Sequence, residues 1–374
     1  MRELLPVPMQ DQMGGDVYSG IARAAGLLWC GRERAVPGET TETVLLFCHP
    51  SSNFVGHYAL SPTAALGFDA VGAVTRYAGN DTQVILENCV ADLGSIIRHL
   101  REHEGYRRVV LVGNSGGGGL AAFYQSQAEK PTVLDAPGGG GTDLTRAVLP
   151  PADDLVMLNA HAGRADLLRG WLDPAVVDEQ DPFRRDPELD LFADRALPLD
   201  RGWVRTYRQA QADRMDRITA WARSQLRLLA ENYGDSVPDL PFHIHGTCAD
   251  PRFLDTTLDP SDREPGTLWG DPQSANLRPV TLGSVSTLRS WLSQWSVADT
   301  NGHGPTCLEQ VSVPVFVAYG TGDKGCFPSM AQALYDAALD PRKGILAVRG
   351  SGHYFEGPKH LLTDALQAIT AWLG

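Results

Sequence analysis

Val109-Val110-Leu111-Val112-Gly113-Asn114-Ser115-Gly116-Gly117 carries four consecutive apolar residues into a G-x-S-x-G. The apolar run, closed by Gly113, suits a strand buried on both faces of a parallel sheet. Directly after the motif, Leu120-Ala121-Ala122-Phe123-Tyr124-Gln125-Ser126-Gln127 reads as a helix that ends before Pro131. A serine on such a strand-to-helix turn is held in a strained backbone, its hydroxyl pushed out above the sheet. The flanking residues must be small for strand and helix to approach, and Gly113 and Gly117 meet that demand. The turn also lies at a helix N-terminus, where free backbone N–H groups favour developing negative charge. Gly116 to Gly119 enter the helix as a run of four glycines, each costing about 1 kcal/mol relative to alanine in a helix interior. A sequence that accepts this needs close backbone approach there. A phosphate loop of the G-x-x-x-x-G-K-[ST] kind would need a lysine that is missing, and no spaced G-x-G-x-x-G with a downstream acid stands out. Ser115 is therefore the candidate nucleophile.

Similar short apolar runs recur along the chain, at Val44–Cys48, Leu155–Leu158, Val313–Tyr319 and Ile345–Val348. Helical patterns separate them. Leu86, Val90, Leu93, Ile97 and Leu100 recur at spacings of three and four, one stripe of a helix ending near Gly105, and Leu361 to Leu373 is helical in period. Strand and helix in alternation predict an α/β fold, a mainly parallel sheet flanked by helices. The alternation fails between about 166 and 300, where Asp-Pro and Pro-Asp steps mark turns or helix starts. This stretch holds one long helical pattern, roughly Val204 to Glu231, and six of the eight tryptophans. It is expected to be a helical lid, 166–300, inserted into a core formed by 1–165 and 301–374. Most of its tryptophans suit a core of its own, with Trp171 and Trp291 expected to line a pocket over the site. Pro137-Gly138-Gly139-Gly140-Gly141 reads as a flexible loop.

Composition narrows the function classes. The 374 residues are 43% apolar and 21% charged, which excludes a disordered or fibrous chain and leaves enough to bury a core without staples. The net charge of −13 comes with no basic stripe, so nucleic acid is excluded as a partner and polyanionic substrates are disfavoured. Cys30, Cys48, Cys89, Cys248, Cys307 and Cys326 form no C-x-x-C pair, and several lie in apolar runs. The opening residues lack the basic and apolar regions of a secretory signal, and no apolar run approaches the ~18 residues needed to span a bilayer. A reduced, soluble, cytoplasmic protein without a membrane partner is expected.

On the elbow and the order of parts, the chain resembles the α/β-hydrolase fold enzymes, over roughly 40–165 and 305–374. That resemblance implies an acid after a later strand and a histidine near the C-terminus. Asp323, in Gly320-Thr321-Gly322-Asp323, stands at the family's acid position, with Glu356, Asp153 and Asp154 as rivals, and His353, in Gly350-Ser351-Gly352-His353, stands at the histidine position. A serine hydroxyl needs a base within hydrogen-bond reach. His353 would take the proton and return it to the leaving group, and Asp323 would hold the imidazole in the correct tautomer. The family's two oxyanion donors would be the N–H of Gly116 and one from the loop after the strand at 44–48. The family has His-Gly there, but this chain has His49-Pro50, and proline has no N–H. Ser51 is then the expected donor, with Ser52 next to it and His49 structural.

Asn114, Ser52 and His161, with the two lid tryptophans, complete the expected substrate contacts. Asn159 ends a strand from which some family members draw their acid, and an amide cannot serve in that role. His243-Ile244-His245 would put two imidazoles on one face of a strand, but no third metal ligand is visible at fitting spacing. No cofactor and no metal are implied. Serine at the elbow speaks against dehalogenases and epoxide hydrolases, which use aspartate. The expected substrate is a carboxylic ester or lactone of a hydrophobic small molecule. Carbon–carbon bond hydrolases of ring-cleavage products, amidases and peptidases use the same constellation, and some proteins of this fold are small-molecule receptors. The oligomeric state is left open, a homodimer being one option.

Overall fold

The computed structural model describes residues 2–10, 26–279 and 281–374. Ten strands are formed among the described residues: β1 Arg2–Pro8, β2 Leu27–Glu33, β3 Thr43–Cys48, β4 Asp69–Gly72, β5 Arg108–Asn114, β6 Asp154–Leu158, β7 Pro241–His243, β8 Val285–Thr287, β9 Val315–Gly320 and β10 Gly344–Val348. Eight of them make one sheet in the order β1-β2-β4-β3-β5-β6-β9-β10. β1 and β2 pair antiparallel, as do β2 and β4, and every other neighbouring pair is parallel. A mainly parallel sheet with helices on both faces is the architecture that the alternating pattern predicted.

The apolar runs form central strands because both of their faces are covered. Val44, Leu46, Val109, Leu111, Leu155, Met157, Val315 and Val317 belong to one core. It also takes in apolar residues of the helices Leu86–Glu102, Gly117–Glu129 and Pro328–Ala337. Leu45, Phe47, Val110, Val112, Val156, Leu158, Phe316 and Ala318 belong to the opposite core, against the helix His360–Leu373. Successive residues of one strand thus serve different layers, as the two-residue period of a strand requires.

The apolar runs mark no strand in the first forty residues. β1 and β2 lie there, and β1 is an edge strand whose Pro6 and Pro8 occur where the sheet needs no further ladder. The Gly-rich run 137–141 is a loop without helix or strand, as expected. It wraps the side chain of Arg289, so closely that a Cβ on Gly140 would stand 2.8 Å from Nη1.

Between β6 and β9 the chain leaves the sheet. The long helix spans Arg201–Tyr233, a shorter one spans Arg164–Trp171, and β7 pairs antiparallel with β8. The rest is less helical than expected. Many turns are Asp-capped: the side chains of Asp186, Asp250 and Asp271 accept backbone N–H bonds from two or three residues on. The segment has apolar cores of its own, one joining Leu168, Met215, Ile218, Trp291 and Trp295, another joining Trp171 and Phe253. Among the described residues no helix is long and apolar enough to cross a membrane.

The helix after β5 sits very close to the sheet. A Cβ on Gly117 would overlap the carbonyl oxygen of Cys48 on β3, a backbone atom that cannot rotate aside. Gly117→Ala is expected to destabilise the protein by about 1–3 kcal/mol, read as a lowered midpoint in urea unfolding. An unchanged midpoint would mean that strand and helix can separate freely.

Candidate active site

The residues of interest gather at the carboxyl ends of the parallel strands, where open α/β sheets bind ligands. Ser115 follows β5 and His49 follows β3, while Asn159, Asp323 and His353 follow β6, β9 and β10. Ser115 has φ +56°, a left-handed conformation that side chains rarely adopt. Its N–H donates to the Leu158 carbonyl at 3.1 Å, and its own carbonyl accepts from Gly118 at 3.1 Å. Strand, turn and helix therefore hold the residue from both sides and aim its half-buried side chain above the sheet edge.

Three side chains line up there. His353 Nε2 lies 3.0 Å from Ser115 Oγ, and Nδ1 lies 2.8 Å from Asp323 Oδ2. Asp323 is fully buried, and its other oxygen accepts the N–H groups of Gly325 at 2.7 Å and Cys326 at 3.0 Å. A carboxylate accepts only, so Nδ1 carries the proton and Nε2 offers its lone pair to the serine hydroxyl. Burial alone would lower the His353 pKa. The charge and hydrogen bond of Asp323, with Glu356 adding to them, outweigh burial and hold it above 6.5. Of the rival acids, Glu356 accepts the Tyr354 N–H at 3.1 Å and reaches His353 through its charge, while Asp153 and Asp154 pair with Arg101 and Arg108.

Asn159 does more than its amide promised. It is buried with φ +43°; Oδ1 accepts the Gly320 N–H at 2.7 Å, and Nδ2 donates to the carbonyls of His353 at 2.7 Å and Gly352 at 3.2 Å. One side chain thus ties the end of β9, which leads to Asp323, to the loop that carries His353. Cys326 also approaches the pair, its ligand atom lying with those of Asp323 and His353 within 4.8 Å of one another. Burial pushes this thiol well up, so it stays protonated.

On the other side of Ser115 the oxyanion expectation needs correction. The amide of Ser51 does not face the site; it donates to His49 Nδ1 at 3.2 Å, and the Ser52 amide donates to the same atom at 3.0 Å. Pro50 turns the loop so that both N–H groups converge on the imidazole. With Nδ1 accepting, the His49 proton sits on Nε2, and that atom would stand 2.9 Å from a Cβ on Gly116. Desolvation of the ring, then the charge of Arg164, holds the His49 pKa well below 6.5, so the imidazole is neutral. Arg164 itself is buried, and its Nη1 would stand 3.3 Å from the same Cβ. No sequence signal marked Arg164, because its approach depends on how the inserted segment folds back.

The other expected contacts divide. His161 is buried near this group, held at about 3 by burial and then by the charge of Arg164. Asn114 faces inward: Nδ2 donates to the Leu158 carbonyl at 2.8 Å, and Oδ1 lies 3.1 Å from His57 Nε2. Trp171 and Trp291 are core residues, Trp291 donating its N–H to Thr219 Oγ1 at 3.0 Å. They bury because their neighbours in the inserted segment are equally apolar. Among the described residues His243 and His245 acquire no third metal ligand.

No family model and no curated protein matches the sequence. Solved structures do. DcsB, solved in complex with its substrate analogue, is similar with a TM-score of 0.53 at 13% identity, over 100% of this chain and 98% of that one. A hypothetical protein from Pseudomonas aeruginosa is similar with a TM-score of 0.50 at 11% identity, over 100% and 92% of the two chains. The esterase domain of a Rhodothermus marinus protein covers 100% of this chain and 97% of that one, with a TM-score of 0.48 at 10% identity. The chain has the α/β-hydrolase fold. At these identities the likeness concerns architecture, and the chemistry rests on the side chains themselves.

In this α/β-hydrolase fold Asn159 fixes the relation between the two loops that carry Asp323 and His353. Asn159→Ala leaves the buried Gly320 N–H without an acceptor, at a cost of about 1–3 kcal/mol. A lowered midpoint in chemical denaturation is the expected outcome, and equal stability would remove the tie.

Proposed function

We propose that this protein is a serine hydrolase of carboxylic esters or lactones, acting through an acyl-enzyme on Ser115. The hydrogen-bonded series Asp323–His353–Ser115, at 2.8 and 3.0 Å on a left-handed elbow, carries this reading. His353 takes the hydroxyl proton as Ser115 Oγ bonds to the acyl carbon, then gives that proton to the departing alcohol oxygen. Water next attacks the acyl carbon, losing its proton to His353, and Oγ leaves with the proton returned. Asp323 keeps Nδ1 protonated and stabilises the imidazolium formed in both steps.

The negative oxygen would be held by the Gly116 N–H and, in place of the Ser51 amide, by the Nε2–H of His49. A neutral imidazole locked in this tautomer by two backbone donors is a fixed dipole, the kind of preorganised group that stabilises developing charge. The inserted segment 166–300 would serve as the lid. Serine, histidine, aspartate and these donors supply every role, so no cofactor is needed. The six buried, free cysteines suit a cytoplasmic location. With Trp171 and Trp291 in lid cores, the case for a strongly hydrophobic substrate rests on less than the sequence promised.

Release of p-nitrophenol from short acyl esters, with an acyl adduct on Ser115 by mass spectrometry, tests the reading. Ser115→Ala should abolish both, and full turnover by that variant would end it. Preferential turnover of an amide or of a vinylogous diketone would move the assignment to an amidase or a carbon–carbon bond hydrolase.

Two further outcomes are expected. His49→Ala should lower kcat by about 100- to 1,000-fold, the size of a lost oxyanion donor. Catalysis needs neutral His353, and its pKa is raised. Activity should therefore fall as pH drops through a midpoint above 6.5, read from the pH profile of kcat.

A further inference from the structure

Arg164 opens the short helix after β6, and its side chain turns toward the nucleophile instead of out to water. The residue is 5% exposed. A guanidinium keeps its charge at any ordinary pH, so burying one is expensive unless its N–H groups are paired. Here the pairing is incomplete. Nη2 meets Asp81, whose Oδ1 also accepts from Ser51 Oγ at 2.7 Å. Nε is buried with no protein partner, and Nη1 makes no hydrogen bond to any described residue. The guanidinium carbon lies over Trp295, 4.2 Å from the ring centroid, and the Trp295 N–H is likewise buried without a partner.

The position of these donors gives them a meaning. Nη1 and His49 Nε2 both crowd the space where a Cβ on Gly116 would stand, so the guanidinium borders the place assigned to the oxyanion. Its neighbours His49 and His161 are neutral, so the positive charge that Arg164 carries is not shared with them. A flat cation with free N–H groups, backed by an aromatic face, matches a carboxylate. A wholly apolar substrate would leave it as unsatisfied as it now is.

We propose that Arg164 anchors a carboxylate carried by the substrate close to the scissile carbonyl, so that the enzyme acts on monoanionic esters or lactones such as half-esters of dicarboxylic acids. This deepens the hydrolase reading and rests on it. The overall charge of −13 is no obstacle, since surface charge is screened beyond about 10 Å at 0.1 M salt while the buried guanidinium acts at contact.

The test compares p-nitrophenyl butyrate with mono-p-nitrophenyl glutarate on wild type, Arg164→Lys and Arg164→Gln. Wild type should prefer the anionic ester, and the kcat/KM ratio of the two should fall by about 100-fold in Arg164→Gln, mostly through KM, with partial recovery in Arg164→Lys. Glutarate should raise the melting temperature of wild type but not of Arg164→Gln, a readout that needs no turnover. Asp81→Asn, which keeps the guanidinium and frees its paired edge, should bind glutarate more tightly and covers the case in which Arg164→Gln fails to fold. An unmoved ratio, or no glutarate shift in wild type, overturns the anchor. Labelling of Ser115 by a fluorophosphonate separates the two readings. If the label reacts and the ratio stays put, only the anchor falls. If neither label nor ester reacts, the hydrolase reading falls, and the glutarate shift still judges the anchor.

Discussion

The close approach of backbone to backbone around Ser115 is the constraint on which the site depends. Gly113 and Gly117 let β5, β3 and the following helix meet without side chains between them, and a Cβ on Gly113 would stand 2.8 Å from the Gly118 Cα. With so little room, the chain can pass from strand to helix only through a sharp bend, and Ser115 takes the left-handed conformation. Asn159 and Phe355 do likewise, beside the loops of Asp323 and His353. Such positions cost about 1–3 kcal/mol each and persist only where the surroundings over-determine them. Here the surroundings are the buried cores on both faces of the sheet, which hold the strand ends rigid.

Rigid strand ends explain how three residues so far apart in sequence meet. β5, β6, β9 and β10 are successive neighbours in the sheet, so loops leaving their carboxyl ends lie side by side. Asn159 then removes the remaining freedom by bonding to β9 and to the His353 loop together. Its amide offers a donor and an acceptor at one point, which a carboxylate could not do for an N–H and two carbonyls at once.

What could be read from the sequence was what local chemistry dictates. Ser115 was legible because the elbow is contiguous, and Asp323 and His353 because each follows a buried strand directly. The central strands showed as continuous apolar runs. β1 did not, since it alternates exposed and buried residues and includes two prolines that only an edge tolerates. The proton position of His49 was not legible, because it is set by where the Ser51 and Ser52 amides point after Pro50. Trp171 and Trp291 were misplaced for another reason. Sequence marks a tryptophan as something to bury, and the inserted segment is large enough to bury both in itself. Arg164 was invisible, since nothing local separates an arginine that faces solvent from one lying over Trp295.

Asp323 and Arg164 are both buried beside Ser115, and the fold treats them differently. Asp323 receives two backbone N–H groups and the imidazole, so its capacity is spent on holding His353. Nothing is left over for a ligand, and the group is a fixed part of the frame. Arg164 receives one carboxylate on one nitrogen, and that carboxylate is itself shared with Ser51. Its unpaired N–H groups remain beside Gly116. In a chain with thirteen more acids than bases, unpaired carboxylates are plentiful and a half-paired buried guanidinium is not explained by charge balance. Buried Arg214 has its donors closed by the carbonyls of Asp173 and His245 as well as by Glu179, whereas the Nε of Arg164, like those of Arg263 and Arg289, meets no acceptor, and of these Arg164 borders Gly116. Place, together with incomplete pairing, is what makes Arg164 a group held in readiness for an acceptor beside Ser115.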